Sequence, residues 1–241
     1  MMMKREDQDR KEPVAKRQKT SSSTFSRVEK KSHDDHVLDR PENYIGTVDK
    51  TKRSEFLATV AEDGKVLFST KIVNVVPALL QIVDEIVVNT IDHQRNSLKT
   101  KFPVKNVTMS FDKETGKITI QNDGNGIPIE KKGDEWTPEL CVGHLLTSSN
   151  YNDKEERLVG GRNGFGAGLT NIWSTEFSLE TVWIHPENGK VQMYKQKWSN
   201  NMKKKGKPKI KDDKRKNGYT KISFVPDYDR FGIQKTFFPT F

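Results

Sequence analysis

Residues 77–93 read PALLQIVDEIVVNTIDH, and the fold turns on how this stretch is placed. Proline suits the first turn of a helix, where its missing N–H has no partner to lose. Behind Pro77, the residues Leu79, Leu80, Ile82, Val83, Ile86, Val87 and Ile91 recur at helical spacing, which predicts a helix over 77–93 with a wide apolar stripe. Glu85, Asn89 and Asp92 stand at i, i+4 and i+7, so they share one face of that helix while the isoleucines and valines hold the other. An Asn amide oxygen is a hard, neutral ligand suited to Mg²⁺. A carboxylate one turn before it can accept a proton from an attacking water. Read alone, the same three residues equally suit the polar side of any amphipathic helix.

On either side of this helix the pattern alternates. Val104–Phe111 and Lys117–Gln121, joined by the turn 112–116, predict a hairpin. Thr137, Pro138 and Glu139 read as cap, first residue and acidic first turn of a helix running into Leu140–Leu146. Phe177–Ile184, Val191–Trp198 and Tyr219–Val225 read as three further strands, the last two separated by a lysine-rich stretch. No internal repeat is present. The reading is α+β, antiparallel strands beside a layer of helices.

Charge is unevenly spread over the 241 residues. The formal net charge is +9, yet residues 1–31 and 203–216 are so basic that the remainder is slightly acidic. The cationic character therefore belongs to two segments, which excludes a uniformly basic nucleic-acid coat protein. Residues 1–32 lack apolar periodicity and read as a disordered basic tail, with 33–241 as the folded domain. Within the tail, Lys4-Arg5 and Lys16-Arg17-Gln18-Lys19 form two clusters that fit a bipartite nuclear-import signal or a non-specific DNA contact. The apolar run 72–91 is broken by Asn74, Pro77, Gln81, Asp84, Glu85 and Asn89, so no membrane span is expected, and no apolar centre of a signal peptide is seen. The single cysteine, Cys141, permits no internal disulfide and fits a reducing compartment.

Two glycine-bearing motifs follow the helix. Asn122-Asp123-Gly124-Asn125-Gly126-Ile127-Pro128 comes directly after a predicted strand. Its glycines allow close backbone approach to a flat ligand, and a carboxylate before them can accept from an exocyclic amine such as adenine offers; the same string is also strong turn chemistry. Gly160-Gly161-Arg162-Asn163-Gly164-Phe165-Gly166-Ala167-Gly168 precedes a short apolar segment, Leu169–Trp173. Repeated glycines free successive N–H groups to point at phosphate oxygens. No Gly-Lys-Ser/Thr follows, so this is not a Walker A loop.

In this order the three motifs resemble the GHKL ATPase superfamily, whose Bergerat-type fold is a two-layer α/β sandwich, a mixed sheet under a helical layer. The neighbouring strings Val37–Gly46 (VLDRPENYIG) and Leu145–Tyr151 (LLTSSNY) look like the N-terminal ATPase domain of eukaryotic-type topoisomerase II and its viral relatives, over roughly residues 33–235. The resemblance implies ATP and Mg²⁺ as ligands. Glu85 would be the general base, Asn89 the Mg²⁺ ligand, and Asp123 the reader of the adenine amine, supported by Thr220. Asp92, His93 and Ile127 would lie beside the nucleotide, and Ser148, Ser149 and Asn150 would touch ribose or phosphate. Gly161, Arg162, Asn163, Gly164, Phe165, Gly166, Ala167 and Gly168 would wrap the triphosphate.

Tyr44 and Ile45 would belong to a strap that crosses to a second subunit when ATP closes a homodimeric gate around double-stranded DNA, with Lys203–Lys216 as a phosphate contact. The expected location is the nucleus, or a viral factory or virion for a viral relative. His93 stands where the family usually has Asn, and Gly168 where it often has Lys, which implies weaker phosphate contact. No transducer domain, whose lysine reaches the γ-phosphate, is expected before Phe241, so slow hydrolysis is implied. Three rival readings exist: another machine on the same fold (a chaperone, a mismatch-repair ATPase or a histidine kinase), a nucleotide-holding switch without turnover, and a basic DNA-binding scaffold, which is disfavoured because the positive charge lies outside the body of the chain.

Overall fold

A computed structural model describes residues 31–145 and 166–233. The chain divides into a leading unit, Met1–Ser32, and a main unit, His33–Phe241, which carries every element below. In chain order these are α1 (His33–Asp39), a 3₁₀ turn (Pro41–Asn43), β1 (Thr51–Val60), β2 (Val66–Val75), α2 (Pro77–Ser97), β3 (Val107–Asp112), β4 (Lys117–Asp123), β5 (Lys131–Lys132), β6 (Glu135–Trp136), α3 (Thr137–Gly143), α4 (Gly166–Ile172), β7 (Ser174–Ile184), β8 (Val191–Ser199), β9 (Lys204–Lys205), β10 (Lys209–Asp212) and β11 (Tyr219–Pro226).

The main sheet runs β10-β8-β7-β11-β4-β3, with β9 also on β8. Every ladder among the described residues is antiparallel, where the resemblance implies a mixed sheet. Helices α2, α3 and α4 form the second layer: α4 packs on α2, α3, β7 and β11, and α2 packs on β4. The architecture is the expected two-layer α+β sandwich.

Directly paired residues in an antiparallel sheet share a face, and the register therefore defines what the helices cover. The first row is Ile118, Phe224, Phe177 and Trp198, and the second is Ile120, Ile222, Leu179 and Gln196. The third row is Asn122, Thr220, Thr181 and Tyr194. All twelve side chains are buried. Two largely apolar rows thus give way to a polar one at the end of the sheet, beside the C-terminal half of α2.

Helix α2 runs one turn beyond the expected His93. Its inner face is Ala78, Ile82, Ile86 and Thr90, all buried. Leu80 and Ile91, expected in the stripe, are 50% and 44% exposed. The stripe is wider than the contact: Leu79, Val83 and Val87 line an open groove of about 1000 Å³ together with Met109 and Phe111. Thr137 does not cap α3, because its hydroxyl donates to Glu130 O and the preceding Trp136 makes no capping bond. The helix also stops at Gly143, short of the expected Leu146.

The hairpin β1–β2 lies outside the sequence reading. Phe56 and Phe68 stack across it at 5.4 Å while remaining 70% and 60% exposed, so no in–out alternation marks its strands. The lysine-rich stretch, read as a loop, contains β9 and β10. Lys203 pairs with Asp35 at 2.8 Å, and Lys205 pairs with the buried Glu139. Lys204, Lys207, Lys209, Lys211, Lys214 and Lys216 stay exposed. Among the described residues no helix is long and apolar enough to cross a membrane.

Candidate functional site

The polar end of the sheet meets the polar face of α2, and together they form the candidate site. Near its first end, Glu85 accepts a hydrogen bond at 2.7 Å from Gln81, one turn earlier on α2. Its other carboxylate oxygen faces the start of α4 so closely that a Cβ at Gly166 would collide with it and lie 3.5 Å from Asn89 Nδ2. Glycine at 166 is therefore what lets α4 reach the Glu85–Asn89 pair. Asn89 is exposed, and its amide makes no hydrogen bond among the described residues. The glycine motif thus meets this pair through Gly166. Ala167 and Gly168 behave differently. Ala167 belongs to the core, and a Cβ at Gly168 would lie 2.6 Å from His144 O, on the α3 side. Gly168 is thus a packing position with no room for a lysine side chain.

At the second end, Asp92 is buried and His93 meets the sheet. Asn122 Nδ2 lies 3.0 Å from His93 Nδ1 and 2.7 Å from Asp123 O. Thr181 is fully buried; its hydroxyl donates to Tyr219 O and accepts from Ile127 N at 2.9 Å. With its one proton spent, Thr181 accepts the 3.2 Å contact from the Thr220 hydroxyl. Thr220 is left with lone pairs on the same face as Asn122. Ile127 itself is half-buried against the core. Burial pushes the His93 imidazole below its ordinary range, with a smaller upward pull from Asn122.

Asp123 does not belong to this cleft. Successive strand residues face opposite sides, so when Asn122 is buried on the helix side its neighbour must point away. The Asp123 carboxylate accepts from Lys105 N at 2.7 Å, Asn106 N at 2.9 Å and Asn106 Nδ2 at 2.7 Å. Asn122 is the side chain that replaces it. The signal is the alternation Ile118, Ile120, Asn122, which the turn-forming residues after Gln121 obscure. The motif's glycines also sit against close neighbours: a Cβ at Gly126 would collide with Val182 O, and one at Gly124 would lie 2.7 Å from Val104 Cγ2. Tyr44 bonds His36 within the chain and Ile45 is buried in its core. Ser148, Ser149, Asn150, Gly161, Arg162, Asn163, Gly164 and Phe165 lie outside the described residues.

Residues 74–227 match the family described as histidine kinase-, DNA gyrase B- and HSP90-like ATPase, and the chain belongs to it. Within that class the similarity is to topoisomerase II. The chain is 43% identical over 219 residues to DNA topoisomerase 2 of Candida glabrata, covering 90% of itself and 14% of that protein. It is 37% identical over 226 residues to DNA topoisomerase 2 of Acanthamoeba polyphaga mimivirus, covering 92% of itself and 17% of that protein. The crystal structure of the ATPase region of Saccharomyces cerevisiae topoisomerase II superposes with a TM-score of 0.77 at 41% identity, over 87% of this chain and 53% of that one. The chain thus spans only a small part of the curated relatives it matches.

The Asp123 contacts carry a pH signature. Burial raises its pKa, but the amides of Asn106 and Lys105 outweigh that, so the net shift is downward. A depressed folded-state pKa contributes stability above the unfolded value of about 3.9, and that contribution is lost as pH falls through the folded value. Asp123→Asn is expected to lower the urea midpoint at pH 7, with a smaller gap to the parent at pH 2, below the unfolded value of about 3.9. A gap of the same size at both pH values would contradict the assignment.

Proposed function

We propose that this chain is the ATP-binding and ATP-hydrolysing gate module of a type IIA DNA topoisomerase. The observation that carries the reading is the span of the cleft: Glu85 and His93 lie eight residues apart on α2, about 12 Å, with an acceptor-lined base pocket at one end and the Glu85–Asn89–Gly166 corner at the other. That spacing suits a purine at Asn122 and Thr220 with the terminal phosphate at Glu85. Glu85, steadied by Gln81, takes the proton of the attacking water. Asn89 has the donor set and the open position to hold Mg²⁺, which when bound neutralises charge on the phosphates. The amide oxygen of Asn122 and the hydroxyl oxygen of Thr220 accept from the adenine amine. The glycine stretch from Gly161 and the Ser148–Asn150 string fit ribose and phosphate contacts by resemblance to the family.

In the whole protein this module drives strand passage through dimer closure on ATP, and the basic tail fits a nuclear or viral-factory location. The enzyme is favoured over a passive nucleotide-holding switch because Glu85 is held at the phosphate end by a dedicated partner. Glu85→Gln is expected to cut ATP turnover at least about 100-fold while leaving ATP affinity near that of the parent. Asn122→Ala is expected to weaken ATP binding about tenfold, and Asp123→Asn to leave it almost unchanged. Turnover that survives Glu85→Gln would overturn the general-base role.

The second basic segment supports a DNA contact. Six of its exposed lysines lie on or around an edge strand, β10, and no aromatic side chain interleaves them, so they would read phosphates and not bases. Replacing Lys204, Lys207, Lys209, Lys211, Lys214 and Lys216 with Gln should flatten the salt dependence of duplex binding, by about 0.9 in log–log slope for each phosphate no longer neutralised. An unchanged slope would remove this segment from the DNA interface.

A further inference from the structure

We propose that residues 234–241 of this chain, QKTFFPTF, seat in the open groove between α2 and β3 and cover it with Phe237, Phe238 and Phe241. The groove comes from a mismatch between the two layers. Helix α2 packs on β4, and β3 ends the sheet one strand beyond it. In register, Val107, Met109 and Phe111 stand opposite Asn122, Ile120 and Ile118, so all six side chains share the helix side of the sheet. The three in β4 are buried, whereas the three in β3 are 50%, 55% and 45% exposed. Leu80, on the flank of α2 that faces the same groove, is exposed as well. A contiguous apolar surface on the core side of a sheet marks a place where another element packs.

The chain itself leads into that place. Tyr228 is buried, and its hydroxyl donates to Gly116 O at 2.7 Å. Ile233 N donates to Tyr228 O at 2.9 Å, and both residues line the groove. Residue 234 therefore starts from the groove's own wall. The distance to cover is short: Leu79 and Val87 are eight residues apart on α2, about 12 Å, and eight extended residues reach about 26 Å.

Composition and charge fit the same occupant. Phenylalanine fills three of the eight positions, no acid is present, and Lys235 supplies a cation. On the groove's wall Glu42 and Asp84 outnumber Arg53. Being tethered at Ile233, the segment meets the groove at an effective concentration of about millimolar, so contacts too weak to hold a free peptide suffice. The groove uses a different flank of α2 from the one that carries Glu85 and Asn89, so its occupant is tested apart from any nucleotide.

Methyl NMR on the full chain supplies the test. Overhauser contacts are expected between the rings of Phe237, Phe238 or Phe241 and the methyls of Leu80, Val83, Val87 or Met109. Replacing the three phenylalanines together with Ser should abolish those contacts and shift the same methyls. The methyls of Ile172 and Leu179, which are buried and do not line the groove, should keep their positions and so report an intact fold. A parent without ring contacts overturns the proposal, as does a triple variant whose groove methyls keep the parent's shifts. Ring contacts found only between two differently labelled copies, and growing with concentration, give the groove to a second copy and overturn it too.

Discussion

The close approach of α4 to α2 is the constraint on which the rest depends. Thr170 Oγ1 donates to Ile82 O at 2.8 Å, with both residues at 0% exposure. Two helices can come this near only if one of them is nearly bare, and Gly166 supplies the bare surface against Glu85. The same short helix ties the layers together from its other sides. Asn171 Nδ2 bonds Val142 O in α3, and Asn201 Nδ2 reaches Ile172 O from the turn after β8. Trp173, just after α4, packs on Phe231 at 5.2 Å between ring centres. Glu85 thus owes its position to buried packing at its back and to a glycine at its front.

A second constraint is the parity of β4. One residue decides whether a side chain looks into the cleft or out toward β3, and the two sides have opposite chemistry here. Asn122 faces in, where a ligand would meet it; Asp123 faces out and fastens the start of β3 through three hydrogen bonds. The acid therefore belongs to the scaffold, holding in register the strand beside the one that carries Asn122.

Much of this was legible in the residues. Pro77 and the stripe behind it located α2, and the i, i+4, i+7 spacing brought Glu85 and Asn89 to one face. The β-branched runs located β3, β4, β7, β8 and β11. What was hidden had physical causes. The hairpin β1–β2 buries neither face, so its strands leave no alternation to read. Asn122 was concealed by turn-forming neighbours that continue the strand. Gly166 and Gly168 look equivalent in a glycine-rich string, but a helix turns them to different neighbours: one meets Glu85, the other the His144 carbonyl. Thr181, which satisfies both Ile127 and Thr220, lies in another strand, and its part in the pocket follows only from the register.

The central claim is that this cleft reads a base with Asn122 and meets a terminal phosphate with Glu85 and Asn89. A crystal structure of the chain with Mg²⁺ and a non-hydrolysable ATP analogue tests it most directly. The expected density places the adenine amine within hydrogen-bond distance of Asn122 Oδ1, with the Asp123 carboxylate still on Asn106 and the γ-phosphate beside Glu85. An adenine amine bound to Asp123, or a nucleotide seated away from α2, would contradict it.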